Sequence, residues 1–231
     1  HEHTRGMTRT SRLMQQFLPL VLDWLSASPD PDLGLLMLCN VLTGPRTAIV
    51  ADAFRDSPEA ARRLCSLLGT SRFLGEAIAR NPDLVAGLPD PVRGVAASRS
   101  SLVESATAAV AWRDDPLDRQ RALGRWKERA IVGIAAGDVL DGADVTEVGA
   151  HLTAVAEAIL EVALTLARPG VPVAVIGLGR FGGSALGYPS DLDLVVVFDG
   201  EGGDDAAEAT RVAQDLLRMV GGAGADRVFS V

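Results

Sequence analysis

Apolar residues recur every three to four positions from about residue 11 to residue 167, and every second position after residue 170. The first spacing is that of helices packed on one side, and the second that of strands. In "SRLMQQFLPLVLDWLSASPDPD" the residues Leu13, Phe17, Leu20 and Trp24 predict one buried helical face, which stops in a Ser/Pro/Asp cluster. "DSPEAARRLCSLLGTS" predicts a helix with Ser57 as N-cap, Pro58 in the first turn and Gly69 at its end. Ser71 is placed to cap the next helix, "RFLGEAIARN", which ends at Asn81-Pro82 and leads to a surface loop from Gly87 to Gly94. The clearest pattern is "DVTEVGAHLTAVAEAILEVALTLARPG". Asp144 and Glu147 have the spacing of a capping box, and Val148, Leu152, Val155, Ile159, Val162 and Leu166 form one stripe, as on a bundle helix. Beyond Gly170, "VPVAVIG" and "DLDLVVVFD" predict strands, an acidic loop leads to a helix with Val212, Leu216 and Met219 inward, and "DRVFSV" predicts a third strand. The fold class is α+β: an N-terminal all-helical domain over residues 1–169, then the start of a mixed α/β domain over residues 170–231.

Charge narrows the partners. A formal net charge of -8 argues against nucleic acid as a main partner, because phosphate backbones attract basic faces. A nucleotide remains compatible with that charge if metal ions supply positive charge. Cys39 and Cys65 lie in apolar helical pattern with no metal-ligand spacing, which predicts core residues of a reduced, cytoplasmic protein. No apolar run approaches the roughly 20 residues of a membrane span, so no membrane association is expected. The start, "HEHTRGMTRTSR", lacks the apolar core of a secretory signal. His1, His3 and His151 form no cluster, which leaves no zinc site.

The chemistry concentrates in "GLGRFGGSALGYPSDLDLVVVFDG", residues 177 to 200. Gly177, Gly179 and Gly182 follow a strand in the spacing of a dinucleotide-binding turn, with Asp199 about where a ribose ligand would stand. That fold needs a full crossover helix, yet Gly187-Tyr188-Pro189 leaves room for two turns or so. It also needs a second strand buried on both faces, where Asp191 and Asp193 would be costly. A P-loop fits Gly177 to Ser184 except that Gly183 stands in place of the lysine that bridges the phosphates. A third reading uses the aspartates. Residues i and i+2 of a strand share one side, roughly 6.5–7 Å apart, so Asp191 and Asp193 project together while Leu192, Leu194 and Val196 face the core. Such a pair suits hard divalent ions, with a nucleotide's phosphates completing the shell, and two ions about 3.5–4 Å apart stabilise an in-line displacement. The glycines let backbone N–H groups approach phosphate oxygens, and Arg180 is a candidate to neutralise further charge.

This stretch resembles the signature of the glutamine synthetase adenylyltransferase family, within the DNA polymerase β-like nucleotidyltransferase superfamily. "LLGTSRFLGEAIARNPDLVAGL" and "LGRWKERAIVGIAAGDVLDGADVTEVGAHLTAVAEAILEVAL" are similar to its preceding helical segments, so the likeness covers most of residues 13 to 231. The resemblance implies that residues 170–231 begin a nucleotidyltransferase-like domain, truncated at its C-terminal side. Asp191 and Asp193 match the family's catalytic metal-binding aspartates. Gly177, Gly179, Gly182 and Gly183 match its glycine turn, and Arg180 stands where a basic residue is common. Ser190 is placed either to hydrogen-bond a phosphate or to close a turn. The implied reaction is Mg2+-dependent transfer of AMP from ATP to a tyrosine of glutamine synthetase, with two ions expected. "FLPLVLDWLSASPDPDLGLLML" and Ser190 to Leu194 are more like the adenylylating half, while the deadenylylating half shares the metal motif. A regulatory or interaction module with a vestigial site is the rival class. A PII-type signalling protein and glutamine are implied as regulators. The superfamily's third carboxylate lies on a later strand, and Asp226 precedes the last predicted strand, so the chain is expected to be a fragment that is nearly inactive alone.

Overall fold

The computed structural model describes residues 9–43, 47–88, 98–221 and 228–229. Helices dominate, with one small sheet, so the α+β class holds at that level. The chain divides into two compact units, His1–Gly94 with Ala135–Ala143, and Val95–Ile134 with Asp144–Val231. This division does not follow the change of period at residue 170. Three long helical stretches cluster with the strands.

The first unit contains α1 (Arg9–Ser26), α2 (Pro31–Thr43), α3 (Thr47–Asp56), α4 (Pro58–Leu68), α5 (Arg72–Arg80) and a 3-10 turn over Pro82–Gly87. Local signals set α4: Ser57 is extended and its hydroxyl accepts from the Ala60 N–H, Pro58 opens the first turn, and Gly69 closes the last. Ser71 occupies the N-cap position of α5 without a side-chain hydrogen bond. The core gathers Met37, Phe54, Leu64, Leu67, Leu68 and Ile78. Arg63 reaches across it to make a two-pronged pair with Asp141, 2.9 Å on each arm. Two expected core residues are corrected. Among the side chains described on α1, residues 17–26, Val21 and Leu25 are buried, whereas Leu20 is 47% exposed; the Leu13 side chain lies outside the described ones. On α2 Cys39 is exposed, and only Cys65 is buried.

The second unit contains α6 (Arg99–Val110), the first part of α7 (Pro116–Asp141), α8 (Val145–Ala167), β1 (Val173–Gly177), α9 (Gly179–Gly182), β2 (Leu194–Phe198) and α10 (Gly203–Gly221). Asp144 caps α8 by accepting from the Thr146 N–H at 2.8 Å. Val148, Leu152, Val155, Ile159 and Val162 are buried as the stripe predicts, with Leu166 half-buried. Ala156, Ala158, Leu160 and Ala163 are buried too, because α8 packs against both α6 and α10. In length and mean hydropathy α8 reaches the range of a membrane-crossing helix, contrary to the expectation that no segment does. Half of its most apolar window is buried inside this unit, as in the core helix of a folded domain.

β1 and β2 pair antiparallel, from Val173 opposite Phe198 to Gly177 opposite Leu194. A dinucleotide-binding crossover joins parallel strands, so this register removes that reading. Asp204 and Asp205, expected in a loop, form the first turn of α10, where the helix dipole favours negative charge. Val212 and Leu216 are buried and Met219 is half-buried. Most of the predicted third strand lies outside the described residues; Val228 and Phe229 are buried but not in a strand. The Phe229 N–H donates to the Val220 carbonyl, while the Lys127 ammonium sits 3.6 Å over the Phe229 ring and donates to the Val228 carbonyl.

Candidate active site at the glycine turn

The chain leaves β1 at Gly177 and turns at once into α9, a single four-residue turn where the sequence suggested about two. The two ends of this turn touch. A side chain on Gly182 would overlap the Gly177 carbonyl, and one on Gly177 would overlap the Phe181 ring. Phe181, buried beneath, anchors the turn. Gly183 follows as the C-cap, its N–H donating to the Gly179 carbonyl at 3.1 Å. As first residues of a helical turn, Gly179, Arg180 and Phe181 carry N–H groups with no carbonyl four residues back inside the helix.

The returning segment places the acidic residues. Ser190 closes the Gly187–Ser190 turn: the Gly187 N–H donates to Ser190 Oγ at 2.9 Å, and the Ser190 N–H to the Gly187 carbonyl at 3.1 Å. Of the two roles open to Ser190, the structure shows the turn. Its hydroxyl hydrogen is left to donate. A Cβ placed on Gly187 would stand 3.5 Å from Ser190 Oγ and 3.9 Å from an Arg180 terminal nitrogen, so these two candidates converge there.

Asp191, Leu192 and Asp193 precede β2 rather than starting it. The alternation survives this shift: both aspartates are exposed, and Leu192 between them is 1% exposed. The Leu178 N–H donates to the Asp193 carbonyl at 2.9 Å, which carries the sheet's hydrogen bonding beyond the last paired residues. Asp193 thereby comes beside Gly179, whose φ is +54°. Leu194 and Val196 are half-buried, so the inward side expected for them holds.

Neither aspartate carboxylate makes a hydrogen bond or an ion pair with any described residue. Two exposed carboxylates without partners, flanking a buried leucine, are of the oxygen-donor type that hard divalent cations take. No group of three or more His, Cys, Asp or Glu arranged for a metal occurs among the described residues, and Asp226 lies outside them. Behind the turn, a cavity of about 450 Å³ is lined by Val175, Gly177 and Gly182 together with Leu160 and Leu164 of α8. Neither aspartate lines it.

Two supporting residues escaped the sequence reading. Thr153, buried on α8, accepts from the Leu186 N–H at 3.4 Å, and a Cβ on Gly149 would come within 3.2 Å of Ala185 Cα. Together they seat the loop between α9 and Asp191 on α8. Their signal was present: a glycine and a threonine on a helix otherwise lined with aliphatic residues.

A sequence model of glutamate-ammonia ligase adenylyltransferase matches residues 61–222. A bifunctional glutamine synthetase adenylyltransferase/adenylyl-removing enzyme of Mycolicibacterium smegmatis is 34% identical, over 99% of this chain and 24% of its own length. The enzymes of the same name from Mycobacterium marinum and Mycobacterium tuberculosis are 34% and 32% identical, over 96% and 92% of this chain. The chain spans about a quarter of the length of these relatives. With the site carried inside the matched region, the chain belongs to the glutamate-ammonia ligase adenylyltransferase family.

Proposed function

We propose that this chain carries the nucleotide-transfer site of an adenylyltransferase that moves AMP from ATP to a tyrosine of glutamine synthetase, within a nucleotidyltransferase-like fold. The observation that carries the reading is the pair of exposed, unpartnered carboxylates flanking buried Leu192 beside the glycine turn. In the reaction the tyrosine oxygen bonds to the α-phosphorus, the bond from that phosphorus to the bridging oxygen breaks, and pyrophosphate and the phenolic proton leave. Asp191 and Asp193 would hold Mg2+, which neutralises charge on the transferring phosphate. Arg180 and the Ser190 hydroxyl, meeting at Gly187, would face the remaining phosphate charge. The N–H groups opening α9 add hydrogen-bond donors. The relatives' names also include adenylyl removal, and the same carboxylate pair would serve phosphorolysis of the tyrosine-linked AMP.

A net charge of -8 sharpens the test, since ATP alone is repelled by an acidic protein. Calorimetric titration of ATP should show binding with Mg2+ and affinity at least about tenfold weaker in EDTA. Asp191→Asn and Asp193→Asn should each lower the Mg2+-supported affinity by a similar factor without lowering the melting temperature. Equal affinity with and without the ion would overturn the proposal, and unchanged binding in both variants would favour an interaction module.

A further inference from the structure

The glycine at the head of α9 has a second neighbour that phosphate binding does not explain. Gly179 adopts φ +54°, and a Cβ built on it would lie 3.2 Å from Asp193 Oδ2. That is tighter than most contacts a Cβ makes, so the neighbouring atom must give by a few tenths of an ångström. The Leu178 N–H, bonded to the Asp193 carbonyl at 2.9 Å, resists separation of the two backbones. The side chain must yield instead. A carboxylate so placed has to move by a few tenths of an ångström if residue 179 gains a side chain.

We infer that Gly179 is a positioning residue for Asp193: its bare Cα lets the carboxylate lie where it serves a small divalent ion. The inference rests on the metal-binding reading of Asp191 and Asp193. It extends that reading from ligand identity to ion choice. Mg2+ demands near-octahedral oxygens at roughly 2.0–2.1 Å, whereas Ca2+ accepts irregular shells at roughly 2.3–2.6 Å. A displacement of a few tenths of an ångström is large on the first scale and small on the second. Filling the space over Gly179 therefore handicaps Mg2+ more than Ca2+.

Gly179→Asn separates this effect from backbone strain, because asparagine tolerates the left-handed region while still carrying a Cβ. Gly179→Ala carries the same Cβ with more backbone strain. ATP affinity is measured by calorimetry for both variants and the unaltered protein, once with Mg2+ and once with Ca2+, alongside melting temperatures. Both variants should bind ATP more weakly with either ion, because Gly179 also lies in the phosphate-facing turn, but Mg2+-supported affinity should fall about tenfold further than Ca2+-supported affinity, the alanine variant melting lower. Equal losses with the two ions, or no loss with either, overturn the inference while leaving the metal reading intact. If the unaltered protein binds ATP with neither ion, the metal reading fails first and this inference with it.

Discussion

Leu192 is buried between two exposed aspartates. Its burial to 1% exposure fixes the pleat of the segment, and the pleat then turns Asp191 and Asp193 outward together. Leu192→Ala should cost about 2–5 kcal/mol in denaturant unfolding, as for other buried leucines. It should also weaken Mg2+-supported ATP binding in the fraction that remains folded. Leu192→Met, of nearly equal volume, should cost less than about 1.5 kcal/mol and leave binding unchanged. Nucleotide affinity equal to the unaltered protein's in the alanine variant would show that the aspartates need no such anchor. The Asp-Leu-Asp alternation was legible because a period of two is local. The approach of Gly179 to Asp193 was not, because it exists only once the antiparallel register brings residues 14 positions apart side by side. Ser190 was ambiguous for a related reason: a serine after proline suits a turn and a phosphate equally until its partner, Gly187, is known.

Among the elements, a charged cluster on α10 borders the end of α8. Arg211 pairs with Glu208 at 2.6 Å and Asp215 at 2.6 Å, and donates to the Ala167 and Arg168 carbonyls at the end of α8. Glu208 also accepts from the Gly170 N–H at 2.9 Å, just before β1. The Arg211 guanidinium, with the Gly170 N–H second, pulls the Glu208 carboxyl down from 4.5 to about 2. A carboxyl lowered on folding adds stability that is complete above its unfolded value of 4.5 and is lost as the pH falls through about 2. The carboxyl carbon of Glu208, followed by NMR, should therefore titrate near 2, and in Arg211→Met it should move back toward 4.5. A midpoint near 4.5 in the unaltered protein would mean that the cluster does not form in solution. Cluster and helix ends differ in how readable they were. Ser57, Pro58 and Gly69 bound α4 by signals within a few residues, and α4 formed as expected. In α1 the run Phe-Leu-Pro-Leu-Val-Leu-Asp-Trp-Leu is apolar nearly all round, so spacing alone could not choose Val21 and Leu25 over Leu20. Cys39 lies in the similarly apolar α2, and there too the buried face is set by the packing of α4 and α5 against it.

At the scale of the whole molecule, the two compact units should respond to alkaline pH in opposite directions. Each holds a buried group whose proton affinity is moved by desolvation. In the first, burial pushes the Cys65 thiol up from 9.0 to about 12. Between those values the unfolded chain has lost the thiol proton and the folded one keeps it, so stability falls as the pH rises. In the second, burial pushes the Lys127 ammonium down from 10.5 to about 8, with Glu128 opposing weakly. There the unfolded chain holds the proton longer than the folded one, so stability rises with pH from about 8 to 10.5. The burial of Cys65 was legible in its apolar helical pattern, whereas nothing in the neighbourhood of Lys127 announces that the ammonium is buried. Hydrogen exchange resolved by peptide, at several pH values between 8 and 10.5 and corrected for the intrinsic rate, reads the units separately. Protection in α4 and α5 should decline from about pH 9 upward, while protection in α8 and α10 should grow from about pH 8. Cys65→Ala should flatten the first trend and Lys127→Met the second, each without touching the other. Parallel trends in the two units would show that they unfold as one, and that their buried groups are read out together.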